Sequence, residues 1–278
     1  MIYSPSSTED FIRCPVYHRL TRTWEPRGAE WTPYMLLGRA IGDGMSAYYR
    51  NLKQGSHAHD PLTVALWVLE EGYVEQETWT LEGLHKHVQK GLQEAINTTP
   101  VRGLILMVDE PLGSFSRPDV VFRHPSTGLT VVDTKVKFKL DSRYVGSTLG
   151  DYETWWQRFH YAWEVGELLQ EPVEWIGAHL IALNPKVRGM YHPIEVSEAR
   201  VRFWLRQAEP VWERMEVAIT KPLTELEPNW NSCRTRYGLC PFFDACHRLD
   251  LDTDRMAIVY QPKRCESPTP LSRVGENA

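Results

Sequence analysis

Two aspartates and a lysine, Asp119, Asp133 and Lys135, lie in neighbouring β-branched runs whose spacing could assemble a small acidic site. Residues 117 to 123 (Arg-Pro-Asp-Val-Val-Phe-Arg) and 129 to 136 (Leu-Thr-Val-Val-Asp-Thr-Lys-Val) are separated by the turn-forming run His124-Pro125-Ser126-Thr127-Gly128, and the pair reads as a β-hairpin. Folding about Ser126 sets Asp119 opposite Asp133. Because side chains alternate along a strand, Lys135 shares the face of Asp133, and Val132 and Thr134 take the other. Carboxylates directly opposed on antiparallel strands have Cβ atoms about 5 Å apart and repel. A hard divalent cation would compensate, since Mg²⁺ is held by one or two carboxylates together with waters and substrate phosphates. The adjacent lysine could then orient or activate an attacking water. The plainer alternative is an ordinary solvated sheet face, against which stand the opposed Asp119 and the apolar residues just ahead of Asp133.

The thiols form a second candidate set. Five cysteines in 278 residues are too few for a disulfide scaffold, and their odd number, without a secretory signal, predicts a reduced, cytoplasmic chain. Cys14 stands near one end and Cys233, Cys240 and Cys246 near the other. Four thiolates satisfy either a tetrahedral zinc site or a [4Fe–4S] cluster, and spacing alone does not choose between them. Either would close a loop of more than 200 residues and restrain the unfolded chain as a cross-link does. Cys265 lies in a polar tail and reads as a free thiol.

Composition sets the outer bounds. A chain of 278 residues, 42% hydrophobic, can bury one large core or two smaller ones. No apolar run reaches the length of a membrane span. The net charge of −5 does not suit a protein that coats nucleic acid, so any phosphate-binding surface must be locally basic. Lys135, Lys137, Lys139 and Arg143, then Arg158 and His160, then Arg234 and Arg236, could line such a groove; the lysine alternation reads equally well as a solvated strand face. Trp155 and Trp156 could stack on bases or belong to the core. His57, His59, His85 and His87 read as surface residues. No Gly-rich phosphate loop is present, which excludes an ATP-driven helicase activity in this chain.

The elements that must position these residues follow from periodicity. A first helix is predicted from residue 4 to about 20. A mostly helical insertion spans 34–97, with Leu81, Leu84, Val88, Leu92, Ala95 and Ile96 at helical spacing. Three strands fall within 103–139, a helix within 151–170, a further strand over 173–183 and a long helix over 197–219. A single domain is expected over residues 1–260, with 233–246 as its cysteine segment and 261–278 as a flexible tail.

With these motifs in place, the chain resembles the PD-(D/E)XK nuclease superfamily, in which an acid on one strand is followed by an acid-x-lysine triplet on the next. Asp119 and Asp133-Thr134-Lys135 match that pattern. Gln157-Arg158-Phe159-His160-Tyr161 resembles the Gln-x-x-x-Tyr motif of the RecB-like branch, and a separation of four puts Gln157 and Tyr161 on one helix face. The segment from Ser4 through Phe11 to Cys14-Pro15 resembles the opening helix of the same branch, and the trailing cysteine triplet resembles that of its iron–sulfur exonucleases. The matched motifs run from residue 4 to 246.

The resemblance implies an α/β fold of restriction-endonuclease-like type, a mixed central sheet flanked by helices with a cysteine-ligated cluster joining the two ends. It implies a Mg²⁺- or Mn²⁺-dependent exonuclease acting on single-stranded DNA or DNA ends, similar to CRISPR-adaptation nucleases and to phage recombination nucleases. Asp119, Asp133 and the Thr134 carbonyl would hold the metal, Lys135 would stabilise charge, and Gln157 and Tyr161 would position the strand. Cys14, Cys233, Cys240 and Cys246 would ligate [4Fe–4S] in preference to zinc, because paired cysteine knuckles are absent. The sequence departs from the family at one place. Where a histidine is common, Gly38-Arg39-Ala40-Ile41 is followed by Gly42 and Asp43. Glu110, at the end of the preceding strand, is the first candidate to replace it and Asp43 the second. This gap leaves a second reading open, a catalytically weak DNA-end-binding subunit with a recombination or CRISPR-adaptation partner.

Overall fold

The computed structural model describes residues 3–26, 32–75, 79–113, 116–139, 156–184, 186–235 and 238–263. Two compact units divide the chain, residues 30–204 forming one, and residues 1–29 with 205–278 the other.

The chain opens with α1 (Pro5–Arg13), capped by the Ser4 side chain, which accepts the Ser7 N–H. The single helix expected from residue 4 to about 20 is broken at Cys14. Cys14 is extended, at φ −167° and ψ 121°, and α2 (Pro15–Thr23) starts immediately after it. Proline is the cause, since it drives the preceding residue out of the helical region and suits the first position of a new helix. The Cys14 Sγ then caps α2, accepting the Tyr17 N–H at 3.5 Å. A short strand, β1 (Trp24–Pro26), follows.

Residues 30–204 carry the sheet. The expected helical segment is realised as α3 (Pro33–Gln54), α4 (Pro61–Gly72) and α5 (Leu81–Asn97). Each begins where a short polar side chain, Thr32, Asp60 or Thr80, accepts the N–H of the residue three positions on. Gly55, at φ 63°, ends α3 in the left-handed conformation that glycine adopts without penalty. The five strands are β2 (Leu104–Val108), β3 (Val120–His124), β4 (Gly128–Lys139), β5 (Val173–Asn184) and β6 (Arg188–Glu195), in the spatial order 2-3-4-5-6. All neighbours are antiparallel except β4 and β5, which are parallel, and their crossover runs through α6 (Trp156–Leu169).

Alternation along the strands builds two cores. Val120, Phe122 and Val132 pack with Leu37, Ile41 and Leu92 of the three-helix layer. Val121, Leu129 and Val131 face the opposite way, onto Tyr161 and Val165 of α6. The sheet is thus mixed and flanked by helices, as expected of the fold class. The strand β6 was not anticipated. Its sequence holds a glycine and a proline, and Pro193 is tolerated because β6 is an edge strand.

The long helix α7 (Glu198–Thr220) passes from one unit to the other at residues 204–205. Within the terminal unit its Trp212 indole donates to Thr8 Oγ1 at 3.1 Å, so the helix is held to α1. The chain continues through a two-residue hairpin, β7 (Arg234–Thr235) with β8 (Gly238–Leu239), then α8 (Phe243–His247), α9 (Thr253–Val259) and β9 (Tyr260–Pro262). The last strand pairs antiparallel with β1. Val16, Leu20, Leu226, Phe242, Met256 and Tyr260 form the buried cluster of this unit. Among the described residues no helix is long and apolar enough to cross a membrane. Arg143, Trp155, Arg236, Cys265 and most of the expected tail lie outside the described residues.

Two glycines give a stability test of the sheet unit. Gly103 sits at φ 129°, and a Cβ there would run into the Arg123 carbonyl oxygen, a backbone atom that cannot yield. Gly38, in the middle of α3, has open space around a built Cβ. Thermal denaturation should show Gly103→Ala less stable by about 2 kcal/mol or more, and Gly38→Ala more stable by up to about 1 kcal/mol. Equal effects of the two would contradict the placement of Gly103 against β3.

Candidate active site

The register of the hairpin fixes the site. Val120 pairs with Val132, and that register carried one residue beyond β3 sets Asp119 opposite Asp133, close enough for the Asp133 charge to act on it. Asp133 lies on the central part of β4, with only 7% of its surface exposed, behind Val131 and Val132, which are fully buried. Asp119 stands just ahead of β3, and its carboxylate accepts the Thr134 N–H. The Lys135 ammonium sits 2.8 Å from Asp133 Oδ2.

From the parallel crossover comes the third component. Gln157 and Tyr161, four residues apart on α6, face the same aspartate. The Gln157 amide donates to Asp133 Oδ1 at 3.3 Å and to the Tyr161 hydroxyl at 2.6 Å. Tyr161 in turn donates to the Arg117 carbonyl at 2.9 Å, tying α6 to the segment that leads into Asp119. Asp119, Asp133, Lys135, Gln157 and Tyr161 therefore converge as the motifs require. A depression of about 20 Å³ beside them is lined by Asp133, Gln157, Arg158 and Tyr161.

Electrostatics follow from this crowding. Burial, and next the Asp133 charge, push the Asp119 carboxyl up to about 7; Lys135 and the Thr134 N–H oppose the shift, and Asp109 adds to it. The Tyr161 hydroxyl is pushed well above its ordinary value, by burial first and then by the two aspartates, so it remains a neutral donor. Asp43, on α3, is raised to about 6, by burial first; Arg39 opposes this and Asp109 reinforces it.

The remaining acid is where the sequence reading and the structure part. Glu110 is 48% exposed at its side chain and pairs with Lys53 at 2.8 Å. Its neighbour Asp109, at φ 49°, is the acid whose charge reaches both Asp119 and Asp43. Arg50 of α3 donates to Asp109 at 3.1 Å, and the Asp109 N–H bonds to the carbonyls of Pro118 and Asp119. Asp109 was missed, although strand parity carried a signal: consecutive residues point to opposite sides, so choosing Glu110 meant rejecting Asp109.

Further residues support α6 from behind. Ser116 donates to the Glu164 carboxylate, and His160 Nε2 lies 3.0 Å from the same carboxylate, all three buried. His160 therefore does not line a phosphate groove. Arg158 is buried too, its guanidinium 4.2 Å over the Phe159 ring. Trp156 packs edge-on against Trp204. Lys137 is exposed, and so is Arg234 in the terminal unit.

Among the described residues no three His, Cys, Asp or Glu side chains stand in a geometry that could hold a metal ion. The chemistry of the donors nevertheless fits one. Two carboxylates, Asp133 buried and Asp119 pushed up to about 7 by burial and then by the Asp133 charge, are the hard oxygen donors that Mg²⁺ takes. The four thiols are free and lie in the terminal unit. Cys14 Sγ accepts N–H groups from Tyr17 at 3.5 Å and from Asn229 at 3.4 Å. Burial first, then the neighbouring thiols, push Cys246 up to about 12, and Cys233 and Cys240 are also raised, chiefly by burial.

A mixed sheet bearing an opposed acid pair, an adjacent lysine and a Gln–Tyr pair from the crossover helix defines a nuclease-type α/β fold. The sequence profile of the PD-(D/E)XK nuclease superfamily matches residues 2–247, and the chain belongs to that superfamily. Among solved structures, a Eubacterium rectale protein described as "Putative exonuclease" aligns with 99% of this chain and 93% of its own, at 15% identity and a TM-score of 0.46. No curated protein sequence matches closely enough to count as a relative.

The raised Asp119 carboxyl gives a signed prediction. A carboxyl whose folded pKa is about 7 binds a proton in the folded state that the unfolded chain releases at about 4, so its contribution to stability is present at low pH and lost as pH rises through about 7. In chelator, the melting temperature of Asp119→Asn should rise relative to wild type between about pH 5 and about pH 8. Adding Mn²⁺ at the upper pH should stabilise wild type more than the variant, because a ligand of the folded state adds stability by mass action. A difference that does not change with pH would show that the carboxyl ionises normally.

Proposed function

We propose that this chain is a Mg²⁺- or Mn²⁺-dependent deoxyribonuclease, an exonuclease of the RecB-like iron–sulfur kind acting on single-stranded DNA or DNA ends, with residues 1–260 as its nuclease domain. The observation that carries this reading is the convergence of Asp119, Asp133 and Lys135 with Gln157 at one point of the sheet. Asp119, Asp133 and the Thr134 carbonyl would hold the ion, joined by one acid from Asp109, Glu110 or Asp43. When bound, the ion polarises the scissile phosphate and lowers the pKa of a water. Lys135, paired with Asp133 at 2.8 Å, would stabilise negative charge developing on the phosphoryl oxygens. Gln157 orients the Asp133 carboxylate, and Tyr161 orients Gln157.

A second reading has an observation of its own. Glu110 is turned to Lys53, which leaves the pair without the acid that sequence reasoning assigned first. It favours a catalytically weak DNA-end-binding subunit working with a recombination or CRISPR-adaptation partner. Cys14, Cys233, Cys240 and Cys246 would hold [4Fe–4S], fastening the first two helices to the segment 233–246, and a reducing cytoplasm would keep them unoxidised.

End-labelled single-stranded and duplex DNA should be shortened from an end in Mn²⁺, while circular single strands survive. Asp133→Ala and Lys135→Ala should each lower the rate by at least about 100-fold, corresponding to about 2.7 kcal/mol of transition-state stabilisation, with Asp109→Ala, Glu110→Ala and Asp43→Ala compared alongside. Binding of DNA ends without cutting by wild type would favour the second reading. The purified protein should be brown and contain iron and acid-labile sulfide, and each of Cys14→Ser, Cys233→Ser, Cys240→Ser and Cys246→Ser should bleach it. A colourless, folded protein with one equivalent of zinc would overturn the iron–sulfur assignment.

A further inference from the structure

Away from the acid pair, the unit of residues 30–204 contains a much larger concavity. A groove of about 920 Å³ runs along α5 and the turn that joins β5 to β6. Lys86 and Lys90 of α5 and Lys186 of the turn line it, together with the amide side chains of Gln89, Gln93 and Asn184. The three lysines are exposed. Lys86 pairs with Glu82 one turn away, and among the described residues Lys90 and Lys186 have no carboxylate partner. The acid in the lining, Glu94, is engaged by the Gly189 N–H at 2.8 Å. In a chain of net charge −5, the groove is a local concentration of positive charge.

At one end the groove meets an aromatic cluster. His87, which also lines it, lies 5.5 Å from the Phe138 ring and 5.9 Å from the Trp79 ring. Tyr34 closes the set at 4.9 Å from Phe138 and 5.5 Å from Trp79, and it is 51% exposed. His87, read from sequence as a plain surface residue, is therefore part of a mixed aromatic and basic surface. Its pKa is lowered, by burial first and then by Lys90.

We infer that this groove is an accessory binding site for single-stranded nucleic acid, in which Lys86, Lys90 and Lys186 contact successive phosphates and Tyr34 offers its exposed ring to an unpaired base. Phosphate contacts from lysine supply sequence-independent affinity, and aromatic faces stack any base, which together describe strand binding without sequence readout. The side chains lie over the stretch of α5 from Gly83 to Glu94, about 16 Å long at 1.5 Å per residue. A ligand of that length with repeating negative charge suits a groove whose lysines are spread over a turn of α5 and the facing β5–β6 turn. The inference deepens the proposed nuclease function, and rests on it for the choice of nucleic acid.

The test is binding without cutting. Fluorescence anisotropy of labelled oligo-dT in chelator, over a range of salt, would compare wild type with the combined variant Lys86→Gln, Lys90→Gln, Lys186→Gln. Affinity should fall at least about tenfold, and the slope of log affinity against log salt should become shallower by about 2, since each single-strand phosphate contact contributes about 0.7. Tyr34→Ala should weaken binding of the single strand and leave duplex binding unchanged. An unaltered affinity and slope in the lysine variant would overturn the site. Equal loss on duplex and single strand in Tyr34→Ala would overturn its single-strand character. Hydrolysis of thymidine 5′-monophosphate p-nitrophenyl ester, too small to reach the groove, should be the same in wild type and the lysine variant. Failure of wild type to hydrolyse either this ester or DNA would count against the nuclease reading, while the anisotropy data would still decide the groove.

Discussion

Two carboxyl groups set opposite one another in the middle of a sheet set the terms for everything around them. An isolated pair of carboxylates so placed would be expelled or neutralised. Here the charge is met on three sides by groups the fold itself supplies: a backbone N–H from Thr134, an ammonium from Lys135 and an amide from Gln157. None of these suffices, since the Asp119 carboxyl is still pushed up to about 7. The shift is chiefly the cost of burial, with the Asp133 charge second.

Holding the imbalance in place requires rigid walls. Asp133 lies mid-strand in β4 and Asp119 just ahead of β3, and their neighbours Val120, Val131 and Val132 are fully buried, so the carboxylates cannot relax apart without breaking the core. The helix α6 is anchored twice over, through Tyr161 to the Arg117 carbonyl and through Glu164 to Ser116. Both anchors reach the segment just ahead of Asp119. One short stretch, residues 116–119, is thereby held to β4 by the Asp119–Thr134 hydrogen bond and to α6 by side chains.

Much of this was legible in the sequence because strands and helices have simple periods. The alternation of Asp133 and Lys135, with the turn at Ser126, was enough to place Asp119 opposite Asp133. Four-residue spacing was enough to bring Gln157 and Tyr161 to the same face. Less legible was what depends on contacts distant in sequence. The edge strand β6, with its glycine and proline, has pattern only in relation to β5. Cys14 does two jobs at a helix boundary, and only the proline after it hinted at a break. His160 looked like a solvent-facing cation because its partner, Glu164, was not recognised as buried. His87 and the lysines beside it looked like scattered surface residues because the β5–β6 turn that completes their groove is a hundred residues away.

The acid beside the pair shows most plainly what a sequence pattern leaves open. Glu110 and Asp109 are consecutive, and a sequence pattern that asks for an acid at the end of the preceding strand accepts either. Geometry separates them. At φ 49° the backbone of Asp109 turns out of the strand, and its N–H is spent on the carbonyls of Pro118 and Asp119. That ties the end of β2 to the start of β3, and the Asp109 side chain is held by Arg50 from α3. Asp109 is thus fixed by backbone and side chain to the segment bearing Asp119, whereas Glu110 is fixed to an exposed lysine. The first kind of attachment couples Asp109 to the Asp119 carboxyl, whose shift its charge reinforces.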